Sequence, residues 1–198
     1  MPYLVDQPRL ERLPPYILYP ALFMVRECKQ LIGDAQAAGL VPATVGNSAQ
    51  AQQAPSVRRS HVAWLDHGPK THWLYKRLES ALSDARKNHY PVNVSGFYER
   101  IQLTRYRAED SGHYAAHKDL APGRASVRKL SMVALLSPPS DFEGGRLEML
   151  GAPSHCQKTE LRQGTLVVFP SYELHRVTPI TKGTRWSLVT WLHGPHWR

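Results

Sequence analysis

Cysteine is scarce in this chain of 198 residues, which contains only Cys28 and Cys156. Neither cysteine has the CxxC spacing of a thiolate zinc site, and two cysteines cannot build a disulfide-rich scaffold. A single disulfide between them stays open as an alternative. Free thiols in a reducing cytosol are the simpler expectation, so the sequence predicts a cytoplasmic protein.

Long hydrophobic runs are also missing, because no apolar stretch approaches the roughly 18 residues that span a bilayer. The first twelve residues include Asp6, Glu11 and two prolines and lack the apolar segment of a signal peptide. Hydrophobic residues make up 42% of the chain and charged residues 21%, as in soluble globular proteins. We expect no membrane partner and one domain over residues 1–198.

Acidic residues are few, since 16 Asp and Glu face 25 Lys and Arg and leave a net charge of +9. Such a surface attracts anions, including nucleic acid. The basic residues are dispersed, however, and form no dense tract or nucleic-acid motif. This dispersal predicts an ordinary solvated surface, with an anionic substrate or partner as the alternative.

The first half of the chain has the apolar periodicity of two helices, at residues 21–38 and 71–89. Gly39 is a suitable stop for the first helix. The proline-rich first twenty residues predict an irregular or edge-strand lead-in, residues 57–64 alternate like a strand, and the polar segment 46–55 predicts a flexible loop.

The second half predicts short strands separated by Gly, Pro, Asp and Ser. These strands are expected at residues 98–106, 113–117, 130–136, 146–150, 164–169 and 185–191. Gly144 and Gly145 predict a tight hairpin before the fourth of them. Two helices followed by many strands indicate a β-sandwich or barrel with the helices on one outer face.

Three polar residues of this half have the spacing of a metal site. In an extended strand, residues two apart point to the same side, so His117 and Asp119 could bind one ion. His175, which follows a strand-like run, could supply a third ligand. Two imidazoles and one carboxylate leave three coordination positions open, as in non-haem Fe(II) oxygenases. A solvated histidine and a turn aspartate are the alternative for the His117–Asp119 triplet alone.

A basic residue follows at the spacing that an acidic co-substrate would need. Arg185 lies ten residues after His175 and begins the strand-like run 185–191. Its planar guanidinium can form two parallel charge-assisted hydrogen bonds with one carboxylate, which lysine cannot reproduce. The pattern therefore predicts a metal site next to a carboxylate pocket.

The second half of the chain, with His117, Asp119, His175 and Arg185 in this order, resembles the Fe(II)/2-oxoglutarate-dependent dioxygenases. It more closely resembles their prolyl 4-hydroxylase-like, PKHD-type branch. The resemblance covers residues 101–198, with a weaker echo at 57–60 and 64–65. Its motifs are QLTRY (102–106), HYAAHKD (113–119), RKLS (128–131), FEGGRL (142–147), GTLVVFP (164–170), HRVTP (175–179) and GTRWS (183–187). It implies a mainly β double-stranded β-helix (jelly roll), with helical support over about 1–95 and a catalytic core over about 96–198.

The resemblance also implies roles for individual residues. It makes His117, Asp119 and His175 the iron ligands. It makes Arg185 the residue that binds the distal carboxylate of 2-oxoglutarate. Further co-substrate contacts are implied for Ser187, with a barrel-lining serine as the alternative, and for Tyr106, with a core tyrosine as the alternative.

Two positions are less determined. Arg128 either faces the substrate or lies on a solvated edge. Several animal prolyl hydroxylases have a tyrosine on the strand after the His-x-Asp segment that helps to hold the distal carboxylate, and this chain has Leu135 near that position. Ser131, Ser187 or another group then takes over the contact, or Arg185 acts with little help.

The implied reaction couples oxidative decarboxylation of 2-oxoglutarate, which gives succinate and CO2, to hydroxylation of a C–H bond. It requires Fe(II), 2-oxoglutarate and O2, with ascorbate as reductant. The expected substrate is a prolyl or other residue of a peptide or protein, and a free small molecule such as an amino acid is the alternative.

Other functions fit the sequence less well. Nucleic-acid demethylases of this superfamily carry a second arginine shortly after the carboxylate-binding one, and residues 186–191 contain none. A non-catalytic, cupin-like binding module that reuses the barrel is the remaining alternative. The oligomeric state does not follow from the sequence.

Overall fold

The fold is known from a computed structural model, which describes residues 13–46, 52–157 and 159–196. The expectations for residues 1–12, and those for residues 47–51 of the polar loop, lie outside this range. The helices are α1 (Val25–Ala38) and α2 (His72–Asn88). The strands are β1 (Ile17–Tyr19), β2 (Val41–Pro42), β3 (Arg58–Arg59), β4 (His61–Leu65), β5 (Ile101–Arg107), β6 (His113–His117), β7 (Arg128–Leu135), β8 (Phe142–Gly144), β9 (Leu147–Met149), β10 (Leu166–Pro170), β11 (His175–Val177) and β12 (Ile180–His193).

The strands form two antiparallel sheets, which pack against each other. The larger sheet has the order β1-β10-β7-β12-β5-β4-β2, with β8 paired to the early part of β12. The smaller sheet has the order β3-β6-β11-β9. The interior between them is apolar and includes Val167, Phe169, Leu147 and Met149. This arrangement confirms the mainly β jelly roll that the sequence predicted.

Both helices cover the outer face of the larger sheet. Helix α1 buries Cys28 and Leu31, and α2 buries Leu74 and Leu78, against apolar residues of strands β5, β7, β10 and β12. Each stripe follows the helical period, and burial of one such side chain stabilises the fold by about 1.5–3 kcal/mol. The predicted position of the helices on one outer face is therefore confirmed.

Several predicted boundaries differ in the structure. Helix α1 begins at Val25 rather than residue 21, because Ala21 has a φ of +52° that a helix does not allow. The predicted strand 57–64 consists of two short strands, since β3 pairs with β6 and β4 pairs with β5 in the other sheet. The chain crosses from one sheet to the other at Ser60.

The hairpin predicted at Gly144 and Gly145 is wrong. Strand β8 pairs with β12 and β9 pairs with β11, so the two glycines connect different sheets rather than adjacent strands. Both glycines have positive φ, and a Cβ on Gly144 would lie 2.1 Å from the carbonyl oxygen of Pro179. Only glycine can make this close crossing.

Two other expectations are met within the described chain. Strand β1 is an edge strand that pairs with β10, as the proline-rich lead-in predicted. Cys28 and Cys156 are free thiols. Among the helices that the structure describes, none is both long and apolar enough to cross a membrane.

Candidate metal centre and carboxylate pocket

Three predicted ligands meet where strands β6 and β11 pair. His117 ends β6, and His175 begins β11 directly opposite it in the antiparallel register. Asp119 follows two residues after His117. One ligand atom from each of the three residues lies within 4.8 Å of the others, and His175 and Asp119 are buried. The strand pairing thus brings two imidazoles and one carboxylate to a common point from positions 58 residues apart.

Hydrogen bonds fix which nitrogen each imidazole presents. The Nδ1 of His117 lies 2.9 Å from the carbonyl oxygen of Ala115, and the Nδ1 of His175 lies 2.9 Å from that of Glu173. A carbonyl only accepts, so each Nδ1 carries a proton, and the neutral form of each ring has its lone pair on Nε2. Both Nε2 atoms lie 3.7 Å from an oxygen of Asp119. The free lone pairs therefore face the carboxylate across a space that a cation would fill.

The carboxylate of Asp119 is held from the larger sheet. The Ser131 hydroxyl, on β7, donates to Oδ2 of Asp119 at 2.6 Å, and Ser131 lies 3.0 Å from the Ser171 hydroxyl. Burial alone would raise the pKa of Asp119, but the electrostatic effect of His175, His117 and Arg128 and the Ser131 hydrogen bond outweigh it and lower that pKa. Asp119 is therefore a carboxylate at neutral pH.

His117 is neutral at the same pH. Burial, reinforced by the neighbouring His175, lowers the pKa of His117 to about 4. The imidazole stacks on Tyr114, with ring centroids 3.6 Å apart and planes inclined by 16°. The guanidinium of Arg58 lies 4.6 Å from the Tyr114 centroid. A neutral imidazole is the form that binds a metal ion.

Arg185 provides the buried cation expected beside this centre. It lies on β12, is 2% exposed, and its Nη1 is buried without a hydrogen-bond partner among the residues described. Burial lowers its pKa, and the neighbouring Tyr106 opposes this only in part. Gly145 leaves room for it, since a Cβ there would lie 2.8 Å from Cδ of Arg185. An unpaired buried guanidinium is costly unless an anion joins it.

One cavity of about 580 Å³ connects the three candidate ligands to Arg185. Tyr106 and Ser187 also line it, so both reach the space where the resemblance implies co-substrate contacts. Ser187 and Tyr106 are 2% and 4% exposed, and the guanidinium carbon of Arg185 lies 5.7 Å from the Tyr106 ring centroid. The three candidate metal ligands and the three candidate co-substrate residues are thus walls of the same cavity.

Leu135 stands where a tyrosine was expected to assist Arg185. It pairs with Ser187 in the β-sheet register but does not line the cavity. Ser131 donates its hydroxyl hydrogen to Asp119 and so cannot donate to a co-substrate. Of the polar groups named from the sequence, Ser187 and Tyr106 remain beside Arg185.

Arg128 lines the cavity and is firmly held there. Its Nε donates to Glu99 at 2.7 Å, its Nη1 donates to the backbone oxygen of Asp119 at 3.2 Å, and its guanidinium lies 3.7 Å from the Trp191 ring centroid. Glu99 also lies 2.9 Å from Nε2 of His193. Burial would raise the pKa of Glu99, but the hydrogen bonds from His193 and Arg128 lower it to about 2.

The sequence reasoning missed several cavity residues, namely Arg58, Glu99, Tyr114 and Trp191. A signal for Trp191 was present, because Arg185, Ser187, 189 and 191 alternate along β12 and all line the cavity. Glu99 had no signal, because it was expected within the strand 98–106, whereas in the structure it precedes β5 (Ile101–Arg107). His61 lies outside the cavity wall, 3.8 Å from a carboxylate oxygen of Asp110.

Comparisons with known proteins agree with this geometry. Residues 101–193 match the model of the 2OG-Fe(II) oxygenase superfamily. A PKHD-type hydroxylase of Hyphomonas neptunium is 40% identical over 123 residues, which are 59% of this chain and 54% of that protein. One of Acidovorax ebreus is 39% identical over 92 residues, which are 43% and 40% of the two chains. The chain thus spans about half the length of these curated relatives.

Solved structures share the fold. A Pseudomonas putida prolyl-4-hydroxylase superposes with a TM-score of 0.71 at 19% identity, over 92% of this chain and 94% of that one. A Trichoplax adhaerens prolyl hydroxylase, solved with a peptide fragment of the hypoxia inducible factor oxygen degradation domain, gives 0.71 at 17% identity over 91% and 84%. At these identities the likeness concerns the fold alone.

Proposed function

We propose that this chain is a member of the 2OG-Fe(II) oxygenase superfamily, whose model matches residues 101–193, and that it is an Fe(II)- and 2-oxoglutarate-dependent hydroxylase related to the PKHD-type enzymes. The observation that carries the proposal is the convergence of two imidazoles and a carboxylate at a cavity that also contains an unpaired buried guanidinium. The first feature suits a divalent metal and the second suits a dicarboxylate.

In this proposal His117, Asp119 and His175 hold the iron. The donor set of two nitrogens and one oxygen is the one that suits non-haem Fe(II) and leaves open positions for a chelating co-substrate. Both Nδ1–H groups are tied to backbone carbonyls, so the rings cannot turn away from the metal. Bound iron would supply the oxidative chemistry, namely decarboxylation of 2-oxoglutarate by O2 and hydroxylation of a C–H bond.

Arg185 binds the distal carboxylate of 2-oxoglutarate. Its guanidinium is pre-positioned by β12 and shielded from water, so its attraction to an anion is only weakly screened. Ser187 and Tyr106 supply hydroxyl contacts next to it. The orphaned Nη1 gains a partner when the co-substrate enters, which offsets the desolvation of both charges.

The substrate we propose is a prolyl or other residue of a peptide or protein. Support comes from the PKHD-type relatives and from the Trichoplax structure that holds a peptide fragment. Arg128 and Trp191, which form the wall beside Asp119, would face such a substrate. A free small molecule such as an amino acid is the second candidate, because a cavity of about 580 Å³ can enclose one together with the co-substrate.

Two further expectations complete the proposal. Residues 1–198 act as one domain in which the part before residue 96 supports the catalytic part after it. The protein works in the cytoplasm, where ascorbate or another reductant returns oxidised iron to Fe(II).

Succinate formation tests the proposed function. The protein is incubated with Fe(II), 2-oxoglutarate, ascorbate and a library of proline-containing peptides and amino acids, and products are analysed by mass spectrometry. We expect succinate release and a gain of one oxygen on a library member, both absent in His117→Ala and both retained in the exposed control His155→Ala. Absence of succinate across the whole library would instead favour a non-catalytic binding module.

A further inference from the structure

A second buried arginine, Arg58, lines the same cavity and has no counter-charge among the described residues. It lies on β3 of the smaller sheet and is 8% exposed. Its Nε donates to the Ser60 hydroxyl at 2.9 Å. Within the described ranges, neither of its terminal nitrogens makes a hydrogen bond, and no carboxylate lies within 4.0 Å of it. Four N–H donors of a buried cation are therefore left for something that enters the cavity.

The packing of Arg58 holds it close to the candidate metal centre. Its guanidinium lies 4.6 Å from the Tyr114 ring centroid, and Tyr114 stacks on His117 at 3.6 Å. The register pairs Arg58 with Tyr114 across β3 and β6. Only the Tyr114 ring therefore separates the guanidinium of Arg58 from the candidate ligand His117. Arg58 lies on the smaller sheet, opposite the sheet that carries Arg185.

The charges that line the cavity leave the positive charge of Arg58 without a matching negative charge. Arg128 is neutralised by Glu99. If Fe(II), Asp119, Arg185 and a doubly charged 2-oxoglutarate come together, their charges cancel. The positive charge of Arg58 then remains uncompensated by the described residues of the cavity wall. Burial of an unpaired charge is unfavourable, so the complete site favours one additional anion.

We propose that Arg58 binds a carboxylate of the substrate, so that the enzyme acts on an anionic substrate. This inference rests on the proposed function and specifies its substrate class. A guanidinium fork and a carboxylate match in geometry, and the pair would also fix the orientation of the substrate relative to the metal. The exposed Lys118 and Arg124 at the rim of the cavity add positive charge along the path of entry.

The carboxylate could be the α-carboxylate of a small molecule or an acidic side chain of a peptide. Two matched pairs of probes separate these sources. N-acetylproline and N-acetylprolinamide differ only in a terminal carboxylate, whereas N-acetyl-prolyl-glutamic acid amide and its glutamine analogue differ only in a side-chain carboxylate. Binding is measured by paramagnetic broadening of the probe NMR signals in the full chain loaded with Mn(II) and 2-oxoglutarate.

We expect the wild-type protein to bind one acidic probe at least about tenfold more tightly than its neutral partner. Arg58→Gln should abolish that preference. Arg59→Gln is the matched control, because Arg59 is the next residue of β3, is exposed, and donates from Nε to the backbone oxygen of Pro55 at 3.1 Å. It removes the same charge from the opposite face and should keep the preference.

Three results would overturn the inference. These are equal or absent binding of both members of each probe pair by the wild type, an unchanged preference in Arg58→Gln, or a weakening of 2-oxoglutarate binding alone in that variant. The last would assign Arg58 to the co-substrate. Succinate release by the wild type is measured separately. If succinate is released but the probes show no charge preference, only the role of Arg58 is refuted. If no succinate is released, the proposed function and the role of Arg58 are both refuted.

Discussion

The two sheets of this protein support the candidate site unequally. Seven of the eight residues of β7, in the larger sheet, are buried, because helices α1 and α2 cover one face and the smaller sheet covers the other. In the smaller sheet, β6 has no buried residue among its five. The larger sheet holds Arg185, Ser187 and Tyr106, whereas the smaller sheet holds His117 and His175.

This difference separates the two tasks of the site. The proposed co-substrate anchor lies next to a strand that is buried on both faces, whereas two of the proposed metal ligands lie on or beside a strand with no buried residue. The hydrogen bond from Ser131 to Asp119 links the layers at the site itself. A bound metal ion would add a second link, so we expect the metal to stabilise the smaller sheet more than the larger one.

The largest effect is expected from removal of the ligand that connects the two layers. Asp119→Ala should lose Mn(II) binding in a titration followed by electron paramagnetic resonance and reduce succinate release to the level of a metal-free sample, because the remaining two nitrogens bind a hard cation weakly. Asp34→Ala, which removes an exposed carboxylate from α1, is the control and should behave as wild type. Full activity in Asp119→Ala would refute the ligand assignment.

Substitution of Arg185, on the larger sheet, should impair co-substrate binding rather than metal binding. Arg185→Gln should weaken 2-oxoglutarate binding by about 100-fold, since two charge-assisted hydrogen bonds are lost, while Mn(II) affinity is unchanged. Isothermal titration calorimetry measures both. Arg185→Met should leave the melting temperature of the metal-free protein no lower than that of wild type, because it removes an unpaired buried charge. Arg146→Gln, on the surface, serves as control, and an equal loss of metal affinity in Arg185→Gln would contradict the separation of tasks.

Acid should loosen the smaller sheet first. The pKa of His117 is lowered from 6.5 to about 4, so the unfolded chain binds more protons than the folded one between these values and the stability falls as the pH drops from 6.5 towards 4. The loss is on the order of 2 kcal/mol for the metal-free protein. Hydrogen exchange should show it in β6 and β11 before β7 and β12. Uniform loss of protection, or a slope that persists in His117→Gln, would argue against this origin.

The smallest effect concerns the link between the layers. Ser131→Ala removes the hydroxyl that orients Asp119 and should weaken Mn(II) binding by about tenfold. Ser171→Ala removes a hydroxyl that contacts Ser131 but not Asp119, so it should have a smaller effect. Ser131→Thr keeps a hydroxyl and should retain most of the Mn(II) affinity. An unchanged Mn(II) dissociation constant in Ser131→Ala would show that the backbone alone positions Asp119.

Much of this architecture could be predicted from local patterns. Apolar residues at helical spacing identified both helices, and Gly39, with a φ of +83°, ends the first one as expected. The alternation along β12 was sufficient to place Arg185 and Ser187 on one face. What failed was local reasoning at crossings between sheets. Residues 57–64 were predicted as one strand, although Ser60 divides them between two sheets. Gly144 and Gly145 were predicted to form a hairpin, although the strands on either side of them do not pair with each other.

Part of the site depended on contacts that no local pattern reports. Nothing in the sequence near Glu99 indicated that it would neutralise Arg128 from 29 residues away. The same holds for Ser131, which was considered as a co-substrate contact but orients Asp119. Arg58 and Arg59 are neighbours of the same residue type, yet one is buried in the cavity and the other is exposed. Such differences follow from which face of a strand packs inward.

The sequence by itself determined which chemistry was available: two histidines and an aspartate able to bind a metal, an arginine able to bind a carboxylate, and the periodicities of two helices and many strands. Side-chain type and local spacing are properties of the chain, so they can be read before folding. Only the tertiary structure decided which groups are paired and which are left without a partner. Burial and counter-charges come from residues far apart in the chain. Among the described residues, they leave Arg185 and Arg58 without a carboxylate partner, whereas Arg128 is paired with Glu99.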